Sequence, residues 1–308
     1  MYEITIPENS SSNCFDSVFC SLLKYFGFEY EAYNIKYFYT EYYDSVRNRI
    51  YRGKSEANIL LKDIYGIDLI FRDKNGSDDL LEIIRASAYN RPTGIVIDPY
   101  YCYWSPFYQK SHYFHMLLIA GIDYSEKKYI CFDVHFDSVG YIKVDFDILN
   151  NNYKRYFAFG FEKPHEVKLE SMTATIQGIL DAFDGNLEAK EAELFDYFTK
   201  NDRQELFPKN LETSVPLINL MWIVEDKKNF PIALRYIENK TKKSVFSQVF
   251  ELLAASEKEF TILKIALIKY AMSGILREDI LKSMISQIFE TDAKIVERMK
   301  YALKEINV

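Results

Sequence analysis

The stretch 115–136, HMLLIAGIDYSEKKYICFDVHF, decides the fold. It holds two short runs, HMLLIAGID (115–123) and KYICFDVHF (128–136), on either side of a polar link at 124–127. Runs of this length, rich in Ile, Leu, Val, Phe and Tyr, read as strands, and the short link between them predicts an antiparallel hairpin. Working outward, 94–99, 141–146 and 156–162 have the same character. Upstream, residues 14–26 read as an amphipathic helix, because Phe15, Val18, Phe19, Leu22, Leu23 and Phe26 recur on one face and Gly27 is a stop signal. Two more helices are expected over 55–64 and 78–89. Helices first and strands later, without β–α–β alternation, predict an α+β domain with a mostly antiparallel sheet over residues 1–165.

Beyond about residue 172 the strand signal disappears. Ile176, Ile179, Leu180 and Phe183 fit a helix closed by Gly185, and 187–200 reads as another. Ser256 and Glu259 have the spacing of a capping box ahead of an apolar-periodic run, 260–272. Segments 279–289 and 293–306 complete the series. Residues 166–308 therefore read as an all-α accessory domain, joined through a linker at 161–172. This half has no His and no Cys. It shows few convergent polar groups, so its expected role is support or a lid.

Composition narrows the function classes. At 308 residues the chain is at the upper edge of what one core serves, which agrees with two domains. A 48% hydrophobic, 16% aromatic chain forms a packed globule rather than a disordered one. No apolar run approaches the roughly 20 residues that span a bilayer. The start, MYEITIPENSS, lacks the basic and apolar regions of a secretion signal, so a cytoplasmic, non-membrane protein is expected. A net charge of -7 argues against a nucleic-acid partner. The four cysteines read as free thiols. With no CxxC, HExxH, GxGxxG or P-loop, neither a metal nor a nucleotide cofactor is expected.

Cys14 stands at the start of the first helix, with Asn13 or Ser12 as its N-cap and Asp16 completing a capping-box pattern on Asn13. A sulfur in the first helical turn faces unsatisfied backbone N–H groups and the positive end of the helix dipole, which favour a thiolate. Asp16 opposes a negative sulfur. The competing reading of Cys14 is a small buried hydrophobe. Cys20, Cys102 and Cys131 read as packing residues.

A catalytic thiol needs an imidazole and a group that fixes the ring. His115 opens the first strand of the hairpin and Asp133 lies on the second. Register decides whether they meet. Directly opposite, or offset by two residues at about 7–8 Å, they share a face. An offset of one puts them on opposite faces. His112 is the rival base, and His165 carries little weight. Taken singly, Asp133 also reads as a strand-end cap and His115 as a half-buried strand residue.

These residues come in a familiar order. NCFDSVFCSLLKYFGFEY (13–30), then GIVIDPYYCYWSPFYQKSHYFHMLLIAGIDYSEKKYICFDVHF (94–136), resembles the butirosin biosynthesis protein H N-terminal family. The carriers of the likeness are Cys14 before an aromatic-rich helix, Asp98 with Tyr100 and Tyr101, the His112/His115 pair, Gly121 with Asp123, and Asp133. The resemblance covers roughly the first half. It implies a papain-like cysteine-peptidase fold, related to bacteriocin-processing peptidases, with Cys14 as nucleophile, His115 as base and Asp133 as orienter. It further implies an acyltransferase of secondary-metabolite biosynthesis, at home beside nonribosomal peptide or polyketide assembly lines. Its substrate would be a phosphopantetheine thioester on an acyl or peptidyl carrier protein, its acceptor a small amine, and its own cofactor none.

On that reading, the Cys14 N–H and a side-chain donor, Asn9 or Asn13, hold the oxyanion. The aromatic run Tyr100, Tyr101, Tyr103, Trp104, Phe107 and Tyr108 walls the site from water or simply packs as a loop; Tyr101, Trp104 and His112 are its substrate-binding candidates. The basic stretch Arg47, Arg49, Arg52 and Lys54 receives an acidic carrier or is a solvated face. Two other readings stand beside the transferase: a cysteine peptidase or amidase, and a non-catalytic binding module on the same fold. A homo-oligomer is compatible with all three.

Overall fold

The computed structural model describes residues 2–5, 13–39, 42–44, 49–50, 57–75, 80–86, 91–133, 140–161, 166–183, 185–209, 211 and 214–306. The expected strand end at 134–136, and the parts of the expected helices at 55–56, 78–79 and 87–89, lie outside these residues. In chain order the elements are α1 (Cys14–Tyr25), β1 (Tyr43–Asp44), β2 (Arg49–Ile50), α2 (Ala57–Tyr65), β3 (Asp68–Asp73), α3 (Leu80–Ala86), β4 (Thr93–Ile97), β5 (His115–Asp123), β6 (Lys128–Asp133), β7 (Gly140–Asp145), α4 (Phe146–Asn152) and β8 (Tyr153–Gly160). Only helices follow: α5 (Leu169–Ala182), α6 (Leu187–Lys200), α7 (Arg203–Leu206), α8 (Val215–Thr241), α9 (Ser247–Ser273) and α10 (Glu278–Ile306). The protein is thus mixed α+β, with one six-stranded antiparallel sheet in the order β3-β8-β4-β5-β6-β7.

The chain divides into two compact units, residues 1–30 with 58–167, and residues 31–57 with 168–308. The segment 31–57, which a boundary at 165 counts with the first unit, packs in the second.

In the first unit β4 is buried along its whole length and β5 over its first six residues, so these two strands carry the sheet's centre. One face forms a core of Ile95, Ile97, Leu117, Ile119, Cys131 and Tyr153, covered by Leu80 of α3 and Leu149 of α4. α1 packs against β5, and its Phe19 ring meets Phe157 of β8 edge-on at 5.4 Å. Gly94 makes room for that ring, since a Cβ there would sit 1.8 Å from Phe157 Cζ. β3 has no counterpart in the sequence reading. It is an edge strand with Ile70 and Phe71 exposed, so it lacks the alternating pattern of a half-buried strand.

In the second unit α9 packs against both α8 and α10, in a core that includes Leu220, Ile223, Phe260, Leu263, Ile285 and Phe289. Two expectations need correction here. Ser256 and Glu259 do not cap a helix, because α9 already begins at Ser247; Ser256 is buried and its hydroxyl donates to Asp292 Oδ1 at 3.2 Å. Segments 279–289 and 293–306 are one continuous helix, α10. The polar Thr291 and Asp292 lie inside it and are satisfied across the bundle, Thr291 by Glu259 at 2.9 Å and Asp292 by Lys227 at 3.1 Å.

Polar groups also converge where few were expected. Lys227 Nζ donates to Tyr42 Oη at 2.6 Å, the Tyr42 hydroxyl donates to Asp292, and the Tyr39 hydroxyl donates to Asp226 at 2.8 Å. Burial and the Asp292 carboxylate hold the Tyr42 phenol well above its ordinary pKa, so it stays neutral. α8 escaped the sequence reading because it buries residues on several sides, Asp226, Lys227 and Asn229 included, and contains Pro231. Among the described residues no helix is long and apolar enough to cross a membrane.

Candidate active site

The mouth of α1 is fixed by its cap. Asn13 adopts the extended conformation of an N-cap; its Oδ1 accepts the Asp16 N–H at 2.9 Å, and its Nδ2 donates to Asp16 Oδ2 at 2.5 Å. This reciprocal pair satisfies a first-turn donor and makes Cys14 the first helical residue. Cys14 is 7% exposed, and Asp16 is buried as the partner of the cap. The Asn13 amide therefore serves the cap at both ends. Asn9 lies outside the described residues.

His115 and Asp133 meet through an irregularity. Near the turn, Gly121 pairs with Ile130 and Ile122 with Tyr129; beyond it, Ile119 pairs with Cys131 and Leu118 with Phe132. Ala120 is the one residue without a counterpart, a β-bulge. Its carbonyl accepts the Tyr2 N–H at 2.7 Å instead. Carrying the regular near-turn pairing onward would offset His115 from Asp133 by an odd number and part their faces. The bulge restores an offset of two, and His115 Nε2 lies 2.7 Å from Asp133 Oδ2. Both side chains are buried, at 2% and 1% exposure.

Asp133 Oδ2 also accepts from Trp104 Nε1 at 2.8 Å. A carboxylate only accepts, so the His115 proton on this side sits at Nε2. Cys14 is also hydrogen-bonded to the His115 side chain. The structure thus brings Cys14, His115 and Asp133 into one chain of contacts. Burial works to lower the imidazole's pKa, but the hydrogen bonds and charges of Asp133 and Cys14 outweigh it and raise it to about 9. Burial, reinforced by the Asp133 charge, pushes the thiols of Cys102 and Cys131 up, so these two stay protonated.

The other candidates are placed as follows. His112 precedes β5 and turns to Asp98, with Nδ1 2.7 Å from Oδ2. Its ring stacks on Tyr100 at 4.3 Å. Tyr101 is part-exposed and packs edge-on against Tyr100. Trp104 belongs to the site as the second donor to Asp133, a role for which the sequence holds no signal. In the sequence Asp98 stands out only as part of a motif. Its position before Pro99, at the end of an apolar strand, is the pattern of a side-chain-capped turn, and its Oδ1 does accept the Tyr100 N–H at 3.0 Å. Arg47, Arg52, Lys54, His135 and His165 lie outside the described residues, while Arg49 is on β2.

Chemically, a thiol at a helix mouth beside a charged-capable imidazole, itself held by a carboxylate, can attack an acyl carbon and pass a proton to a leaving group. No family model matches this chain, and no curated protein matches it.

Proposed function

We propose that the first unit is a papain-like cysteine acyltransferase of the butirosin biosynthesis protein H type. It moves an acyl or aminoacyl group from a carrier-protein phosphopantetheine thioester to an amine. The observation that carries this reading is the Cys14–His115–Asp133 chain of contacts, buried and anchored from behind by Trp104. Cys14 Sγ, deprotonated by His115, attacks the thioester carbonyl; the carrier thiol leaves with the proton from His115, and an acyl-enzyme remains. The Cys14 backbone N–H, one of the donors a first helical turn leaves unused, stabilises the oxyanion. The amine then displaces Cys14 and forms the amide. The low exposure of all three side chains supports transfer over hydrolysis, since a dry site keeps water from the acyl-enzyme.

The test is to incubate the protein with an acyl-thioester and weigh it intact. The expected result is an acyl adduct that is absent in Cys14→Ala and is discharged faster by amines than by water. Discharge by water alone makes the protein a hydrolase. If no thioester or peptide leaves an adduct, the fold serves as a binding module.

A further inference from the structure

Two Asp–His pairs stand at one end of the sheet's inner strands. Asp133 ends β6 and holds His115; Asp98 follows the last residue of β4 and holds His112. Ile97 is the register partner of His115, so Asp98 begins one residue beyond that pair. β4 and β6 flank β5, which puts the two strand ends two spacings, about 10 Å, apart. The buried Cys102 feels both carboxylates, which reinforce burial in raising its thiol's pKa. A single loop serves both, because Trp104 fixes Asp133 while Asp98 and His112 bracket the loop's two ends.

The pairs differ in exposure. His115 is sealed against Cys14, whereas the His112 side chain is 65% exposed. The Asp98 carboxylate is held in place by the N–H groups of Tyr100 at 3.0 Å and Tyr113 at 3.3 Å, and it fixes His112 through Nδ1. Among the described residues Nε2 of His112 has no protein partner. An oriented imidazole with an open nitrogen is the form of a general base awaiting a substrate proton.

We propose that His112, oriented by Asp98, is the base that receives a proton from the amine acceptor; this rests on the acyltransferase reading above. An aliphatic amine reaches the site as an ammonium ion and must lose two protons to become an amide nitrogen. His112 Nε2 takes the first from the ammonium and releases it to solvent, which its exposure permits. The free amine then attacks the Cys14 thioester. The N–C bond forms, the C–S bond breaks with its electron pair passing to Sγ, and His115 takes the second proton. Water as acceptor arrives neutral and does not need His112.

The experiment measures acyl-enzyme formation and its discharge separately, by stopped reactions weighed intact, with a thioester donor and a simple alkyl amine between about pH 6 and 10. In His112→Gln, discharge by amine is expected to be about 100-fold slower near neutral pH, the scale of a lost general base. The deficit shrinks as rising pH supplies free amine, while discharge by water keeps its rate. Asp98→Asn, which retains an acceptor for Tyr100 and Tyr113, shows the same pattern more weakly. Among the described residues Asp98, Tyr100 and Tyr101 face His112. Equal amine discharge in wild type and His112→Gln across the range overturns the inference and leaves the transferase reading intact. Absence of any acyl adduct on the wild-type protein overturns both.

Discussion

His115 Nε2 lies 2.7 Å from Asp133 Oδ2 across a hairpin whose pairing slips by one residue at Ala120. The carboxylate sets the ring's tautomer as well as its position, because it accepts the Nε2 proton. In Asp133→Asn the amide is free to present its NH2 to the ring and invert the tautomer. Acyl-enzyme formation is expected to fall by about 100- to 10,000-fold with the fold retained, measured by single-turnover mass analysis. Asp133→Ala leaves both the His115 ring and the Trp104 indole without an acceptor. It should lower the unfolding free energy by about 2–4 kcal/mol in denaturant titration.

Thiol chemistry should single out one cysteine. Cys14 borders an imidazole and lies at a helix mouth, whereas Cys102 and Cys131 are fully buried with thiols held protonated by burial and by Asp133. Brief alkylation of the native protein with iodoacetamide, followed by peptide mapping, should modify Cys14 first and leave those two untouched. Equal labelling of Cys102 would contradict this picture.

Stability should carry the signature of the His115 ring. Its folded pKa, about 9, stands above the ordinary histidine value of about 6.5. The stabilisation from the protonated ring is therefore complete below about pH 6.5 and disappears as pH rises through about 9. Across that window the unfolding free energy should drop by about 3 kcal/mol more in the wild type than in His115→Gln. Parallel curves for the two proteins would rule the coupling out.

The buried ion pair of the helical unit gives a separate test. Lys227 and Asp292 are each about 95% buried or more and lie 3.1 Å apart. Lys227→Met strands the Asp292 carboxylate between Tyr42 and Ser256, with an expected cost of about 3–5 kcal/mol. Replacing both partners by apolar residues should recover much of that loss, read as a double-mutant cycle from thermal or chemical melts.

The hairpin 115–133, the α1 start and its Asn13 cap were legible because each depends on neighbours in sequence: an apolar run beside a polar turn, or a small polar residue before an amphipathic helix. Whether His115 and Asp133 would meet was not legible. That hangs on where one extra residue bulges out, and Ala120 looks like any other strand position. Trp104 was equally opaque, since a loop indole finds a distant carboxylate only through tertiary folding. In the helical half the same limit acted in reverse. Ser256, Thr291 and Asp292 resemble caps and breaks until their partners on other helices are known. Lys227 and Asp226 mask the apolar face that would have announced α8.

The interleaving of the two units bears on how this chain is made. Tyr39 and Tyr42 bond to Asp226 and Asp292, which are synthesised nearly two hundred residues or more after them. The second unit thus stays incomplete until α10 has been made. A gene cut at residue 165 would release an aromatic arm that never meets its helices. Soluble expression of the first unit alone therefore calls for replacing 31–57 with a short polar linker as well as ending the chain at residue 167.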